Sequence, residues 1–159
     1  MVFAETDGYN YNQNCGGYAL GLDEWVQPFD EDFIDRLDYI NTLCEDEGMS
    51  VSEAEEFILN TDADYLCNKY DLIELPSNKI IAVAPSTDLI AYRIFITLNP
   101  SFDFDYDYDF HFRVRRNGKW SEKCGCCPVS ECKEELEESW DTRDYVYDSE
   151  IKYFIKRGA

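Results

Sequence analysis

Histidine occurs once in this chain, at position 111, and lysine plus arginine number 14 against 34 acids, for a net charge of −20. A surface so poor in cations repels phosphate backbones and anionic headgroups, so direct binding of nucleic acid is not expected. The one basic cluster, Arg113, Arg115, Arg116 and Lys119, is short. Acidity maintains solubility, and it also suits a peptide or basic protein as substrate or partner. No stretch approaches the roughly 20 apolar residues of a membrane helix, so no membrane association is expected. The opening Met1-Val2-Phe3-Ala4-Glu5 has neither a basic nor an apolar leader segment, which predicts a cytoplasmic protein.

What is present suffices for one domain. A chain of 159 residues, 45% hydrophobic and 16% aromatic, can bury roughly 70% of its unfolded surface without disulfides or metal. Its seven cysteines are an odd number with no export signal, which predicts free thiols in a reducing compartment.

The chain reads as α+β, mainly helical over 1–63 and mainly strands over 79–159. A helix is expected to start near Cys15, capped by Asn12 or Asn14. Phe33, Ile34, Leu37, Ile40, Leu43 and Cys44 recur at helical spacing over 30–46. Ser50 and Glu53 have the spacing of a capping box, with Ala54, Phe57 and Ile58 as the apolar stripe of a helix to about Thr61. Strands are expected over Lys79–Ala84 and Leu89–Leu98. From Phe102 to Arg115 aromatic and polar residues alternate strictly, a strand with one aromatic face and one polar face carrying His111. Asn117-Gly118 accepts the positive φ angles of a tight hairpin turn. That register sets Arg115 opposite Trp120, Arg113 opposite Glu122 and His111 opposite Cys124. A short charged helix over Glu131–Trp140 and a last strand over Tyr145–Ile155 complete the reading.

Cys15 and His111 are the residues that could carry chemistry. A thiol at a helix start feels unpaired N–H groups and the positive end of the dipole, which favour the thiolate and could bind an oxyanion. Gly16 and Gly17 leave backbone accessible beside it. Imidazole exchanges its proton near neutral pH and suits the role of base and leaving-group acid. A helix-start cysteine followed a hundred residues later by a strand histidine is the chain order of papain-like thiol enzymes.

The local strings agree. Asn14-Cys15-Gly16-Gly17-Tyr18-Ala19-Leu20 resembles the N-C-x-x-Y-A-L segment of a group of bacterial and phage papain-like proteins. Asp109-Phe110-His111-Phe112-Arg113 with Gly118-Lys119-Trp120-Ser121-Glu122-Lys123 resembles their D-[FY]-H-[FW]-[RY]…G-x-W-S-x-K segment. The two blocks cover about a fifth of the chain. The sequence departs from the pattern at Lys123-Cys124-Gly125, where Lys-Pro-Gly is usual. The resemblance implies a papain-like fold, a Cys15 nucleophile, a His111 base, and a bacterial or phage-infected cytoplasm. Asp148 or Asp141 would orient the histidine, and Asn14 would serve the oxyanion hole. The implied function is a peptidase or amidase acting at an acyl carbon, with no cofactor.

Other readings attach to other features. Cys124, Cys126, Cys127 and Cys132 suggest zinc, with His111 across the hairpin, and an alternative function as a zinc-stabilised interaction module, but C-x-C-C-x₄-C lies in one short loop, so free thiols are expected and no metal. Cys124 could serve as a second nucleophile. Asp103, Asp105, Asp107 and Asp109 lack the Gly and distal Glu of a calcium loop and read as a solvated edge. The charge and the regular aspartates also fit a non-catalytic acidic binding protein, such as a phage inhibitor that mimics nucleic acid. Trp25, Trp120 and Trp140 are expected in the core or at a cleft rim.

Overall fold

Local capping places the helices. Asn14 is extended (φ −100°, ψ −170°) and its side chain accepts the Gly17 N–H, opening α1 (Cys15–Leu20), which Gly21 ends in the left-handed region at φ 71°. The computed structural model describes residues 10–98, 106–132, 139–142 and 145–158. Helix α2 (Phe33–Asn41) continues as a π-helical turn over Thr42–Asp46. Helix α3 (Val51–Tyr70) opens with the expected Ser50–Glu53 capping box. It runs well beyond Thr61 because Asp62, Ala63 and Leu66 prolong the buried stripe.

Strands follow: β1 (Leu72–Leu75), β2 (Leu89–Leu98), β3 (Tyr106–Arg116), β4 (Lys119–Lys123), β5 (Val129–Glu131), β6 (Trp140–Asp141), β7 (Val146–Tyr147) and β8 (Lys152–Lys156). One antiparallel sheet has the order β1-β8-β2-β3-β4-β5, and β6 pairs with β7 in a separate ribbon. The architecture is thus α+β, helices first and an antiparallel sheet after. The β3–β4 hairpin has the expected register, with Arg113 opposite Glu122 and Arg115 opposite Trp120. Asn117 (φ 52°) and Gly118 (φ 79°) supply its turn.

Three expectations change. Residues 77–82 form a 3₁₀ helix, not a strand, and Ile81 there is exposed, so the apolar run buries none of its residues in the core. The last strand is split into β7 and β8 around Ser149, which accepts the Ile94 N–H on its hydroxyl and donates its own N–H to the Ile94 carbonyl. Of the expected helix over 131–140, residues 133–138 lie outside the described residues, while Glu131 and Trp140 end up in strands. Residues 99–105, with Asp103 and Asp105, also lie outside them.

Both faces of the sheet are covered. The helices bury Ile90, Tyr92, Ile94, Tyr108, Phe112, Val114 and Phe154 on one side. On the other, Leu89, Ala91, Phe95, Trp120, Trp140, Tyr147 and Tyr153 form a second cluster. The middle of the polar face of β3 therefore does not meet solvent: His111 and Arg113 are each 3% exposed. Arg115 donates to the Val83 and Ala84 carbonyls and Arg116 to Asp88, Tyr18 and Ala19, so the basic cluster is largely occupied within the fold. Among the described residues no helix is long and apolar enough to cross a membrane.

Tight packing, not an open backbone, explains the glycine pair after Cys15. Both glycines are buried. A Cβ on Gly16 would lie 2.9 Å from the Val26 Cβ, and one on Gly17 would lie 2.0 Å from the Glu24 carbonyl oxygen. Because that oxygen is backbone and cannot rotate aside, Gly17→Ala is expected to cost at least about 1–3 kcal/mol. A denaturant midpoint equal to that of the unaltered protein would refute this packing.

Candidate active site

Strand β3 delivers His111 from the face covered by the β6–β7 ribbon. Its ring stacks on Tyr147 (5.3 Å between centroids, 22°) and meets Trp140 edge-on at 6.1 Å. Nε2 and Glu122 Oε1 are 2.7 Å apart, and Arg113 holds the same carboxylate from Nε at 3.2 Å. Burial alone would raise the Glu122 pKa, but the hydrogen bond and charge of His111, with Arg113, outweigh it and hold the carboxyl below its ordinary value. An ionised, hydrogen-bonded carboxylate fixes the ring orientation and stabilises an imidazolium, the orienting role in a catalytic triad. The hairpin turn carries this information. If His111 lies opposite Cys124, Glu122 is the diagonal neighbour on the same face, within reach of a long side chain.

Cys15 comes from the helical side. Strand β3 is paired with β4 only as far as Arg113–Glu122, and the Phe112 backbone N–H just beyond reaches the Cys15 sulfur, while the rest of α1 is held against the hairpin. The Arg116 guanidinium donates to the Tyr18 and Ala19 carbonyls at 2.7 and 3.0 Å, and the Tyr18 hydroxyl lies 2.6 Å from Ser121 Oγ. Lys123, itself buried, ties the entry to α1 by donating to the carbonyls of Asn10, Gln13 and Gly125.

Cys15 is 6% exposed, and its environment contradicts a resting thiolate. Burial pushes the thiol pKa up to about 12, opposed by backbone hydrogen bonds from Phe112 and Gly16 and reinforced by Asp109 and Cys124. A six-residue helix and two N–H groups do not repay the desolvation of a thiolate. Alkylation of Cys15 by iodoacetamide is therefore expected to rise about tenfold per pH unit through pH 9, because burial keeps the thiol protonated over that range. A rate that levels off below pH 7 would overturn this.

Cys15 and His111 line one cavity of about 340 Å³, together with Asn14, Trp25, Asp109, Phe110, Cys124, Tyr145 and Tyr147. No family model, curated protein or solved structure matches this chain. The cavity itself is consequently what bears on function.

The remaining sequence candidates are distributed unevenly. Asn14 lies in the cavity wall, but its amide oxygen accepts the Gly17 and Val26 N–H groups and its Nδ2 donates to the Val26 carbonyl at 2.8 Å. It staples α1 to the following segment. Asp148 is not in the cavity lining; its charge acts on Arg93 and Glu55. Asp141 accepts the Ser139 hydroxyl at 3.0 Å. The carboxylate that does reach His111 is Glu122, which sequence reasoning missed.

Asp109 accepts the Tyr147 hydroxyl at 2.7 Å. Burial raises its pKa, with the Tyr147 hydrogen bond opposing. Burial and the Glu122 charge push the Cys124 thiol up to about 11. Trp25 stands at the rim, exposed, with its indole N–H on the Tyr11 carbonyl at 2.8 Å, whereas Trp120 and Trp140 are core.

Proposed function

We propose that the protein is a papain-like thiol hydrolase acting on an amide or related acyl carbon, with Cys15 as nucleophile, His111 as base and Glu122 as the positioning carboxylate. The observation that carries this is that Cys15 and His111 line one cavity while Glu122 hydrogen-bonds the same imidazole. Because the Cys15 thiol is protonated at rest, the pair acts by general-base catalysis rather than as a preformed ion pair. His111 takes the thiol proton as the sulfur attacks the carbonyl carbon. The imidazolium then protonates the leaving amine as the C–N bond breaks, leaving a thioester. His111 next deprotonates water, which attacks the thioester, releasing the acid and restoring the thiol. The Phe112 and Gly16 N–H groups that reach Cys15 stabilise the sulfur as its charge develops.

The cavity lining also favours a class of substrate. Among the described residues its charged side chain is the Asp109 carboxylate, set among Trp25, Phe110, Tyr145 and Tyr147, with no lysine or arginine. Such walls suit a neutral or cationic group and repel a phosphate or carboxylate. A peptide or basic protein fits both this lining and the net charge of −20.

A peptidyl electrophile, with the modified cysteine located by mass spectrometry, tests the proposal. Cys15 is expected to be the modified residue, in preference to the exposed Cys127, and modification should be lost in His111→Ala. Glu122→Gln, which keeps shape but not charge, should slow it by about 10²-fold. Modification of Cys127 with Cys15 untouched would sink the hydrolase reading.

A further inference from the structure

The same corner of the molecule holds a ligand set that joins two residues of the hydrolase reading, His111 and Glu122, to one that reading leaves idle, Cys124. A ring nitrogen of His111, a carboxylate oxygen of Glu122 and the sulfur of Cys124 all lie within 4.8 Å of one another. His111 is buried and the other two are half-buried. Zinc favours this mixture of imidazole, carboxylate and thiolate. Its bond lengths of about 2.0–2.3 Å place tetrahedral ligand atoms about 3.4–3.6 Å apart, so small side-chain adjustments close the site. Arg113, hydrogen-bonded to both Glu122 oxygens at 3.2 and 3.4 Å, would support the carboxylate from outside, as outer partners of metal ligands do. His111 and Cys124 line the Cys15 cavity, so a fourth position of the site would face water or a substrate atom there.

We propose that His111, Glu122 and Cys124 form a zinc site, and that zinc reversibly inhibits the Cys15 reaction by taking the imidazole lone pair that would serve as base. On binding, the Cys124 thiol releases its proton to solvent, the Nε2–Glu122 hydrogen bond is replaced by two bonds to the metal, and the ring proton moves to Nδ1, which leaves the ring no lone pair to take the Cys15 proton. The four-cysteine loop is not the site: its contribution is Cys124 alone, joined by residues from two neighbouring strands. The inhibition rests on the hydrolase reading; the metal site does not.

Cobalt(II) tests the site directly. The full chain, stripped with a chelator and kept reduced with a phosphine, is titrated with cobalt and then with zinc. Uptake is expected to saturate at one cobalt per chain with a near-ultraviolet thiolate–cobalt band, which zinc abolishes. Cys124→Ser should remove the band, Glu122→Gln should weaken binding at least tenfold, and Cys15→Ser should keep both. Far-UV circular dichroism checks each fold, and should Cys124→Ser not fold, Cys124→Ala and His111→Gln read the same band. A band that survives loss of Cys124 but not joint replacement of Cys126, Cys127 and Cys132 would overturn the proposal, as would no cobalt uptake. A chain that takes up cobalt but modifies no electrophile retains the metal site and loses the hydrolase. A chain that hydrolyses amides and is indifferent to equimolar zinc loses the inhibition.

Discussion

Replacing Cys15 by serine is expected to lower amide turnover on the order of 10⁴-fold, because the hydroxyl is a far weaker nucleophile and the N–H groups of Phe112 and Gly16 are placed for sulfur. His111→Ala should cost a comparable factor, and the double variant little more than either alone, since both groups serve one proton transfer. Cys124 provides the contrast. Its thiol is also raised, to about 11, and it sits near the same imidazole. It lies in a loop after β4, without the helix-start N–H groups that serve Cys15, so Cys124→Ala should lower turnover by less than about tenfold. Steady-state rates on a basic peptidyl amide measure all four. A Cys124 variant as inactive as the Cys15 variant would move the nucleophile to the loop.

The largest effect on stability is expected at Asp62. It is fully buried between α3 and the sheet and accepts hydrogen bonds from Arg36 (2.8 Å), Tyr92 (2.6 Å) and Tyr108 (2.9 Å). Arg36, 3% exposed, pairs with Asp62 and Glu31 and lies 4.1 Å over the Phe29 ring. Asp62→Ala would strand a buried guanidinium and two tyrosine hydroxyls, a loss of about 3–5 kcal/mol. Asp62→Asn keeps the shape and should cost less.

The pair of variants also fixes a pH dependence. Burial pushes the Asp62 carboxyl up to about 6 against the opposing pull of Arg36 and the tyrosines. Between its ordinary value of 3.8 and about 6 the folded state binds more protons than the unfolded state, so this group's contribution to stability falls as pH rises through that window. Measured against Asp62→Asn, which does not titrate, the unaltered protein should gain stability as pH falls from 6 to 4, by at most about 1.4 kcal/mol per unit. Chemical denaturation at several pH values reads this, and an opposite slope would show that Asp62 is ionised throughout.

Local signals were legible where a few neighbouring residues decide the outcome. Ser50 and Glu53 set a helix start because each bonds the other's backbone. Asn117-Gly118 set a hairpin register because few other residues tolerate both φ angles. Asn14 caps the helix that begins at Cys15. The run Lys79–Ala84 failed as a strand because apolar content alone cannot supply a partner edge, and β8 is already paired on both sides, by β1 and β2.

By itself, the chain determined the helices-then-strands order, the side of β3 on which His111 stands and the placement of a thiol at the front of a helix. Those follow from periodicity, caps and turn chemistry, all interactions within a few residues. Tertiary structure alone decided that the polar face of β3 is buried under Trp140 and Tyr147, that Glu122 rather than Asp148 meets the imidazole, and that the Cys15 thiol is held protonated. Desolvation and carboxylate choice depend on which distant segments pack together, and no local pattern encodes that.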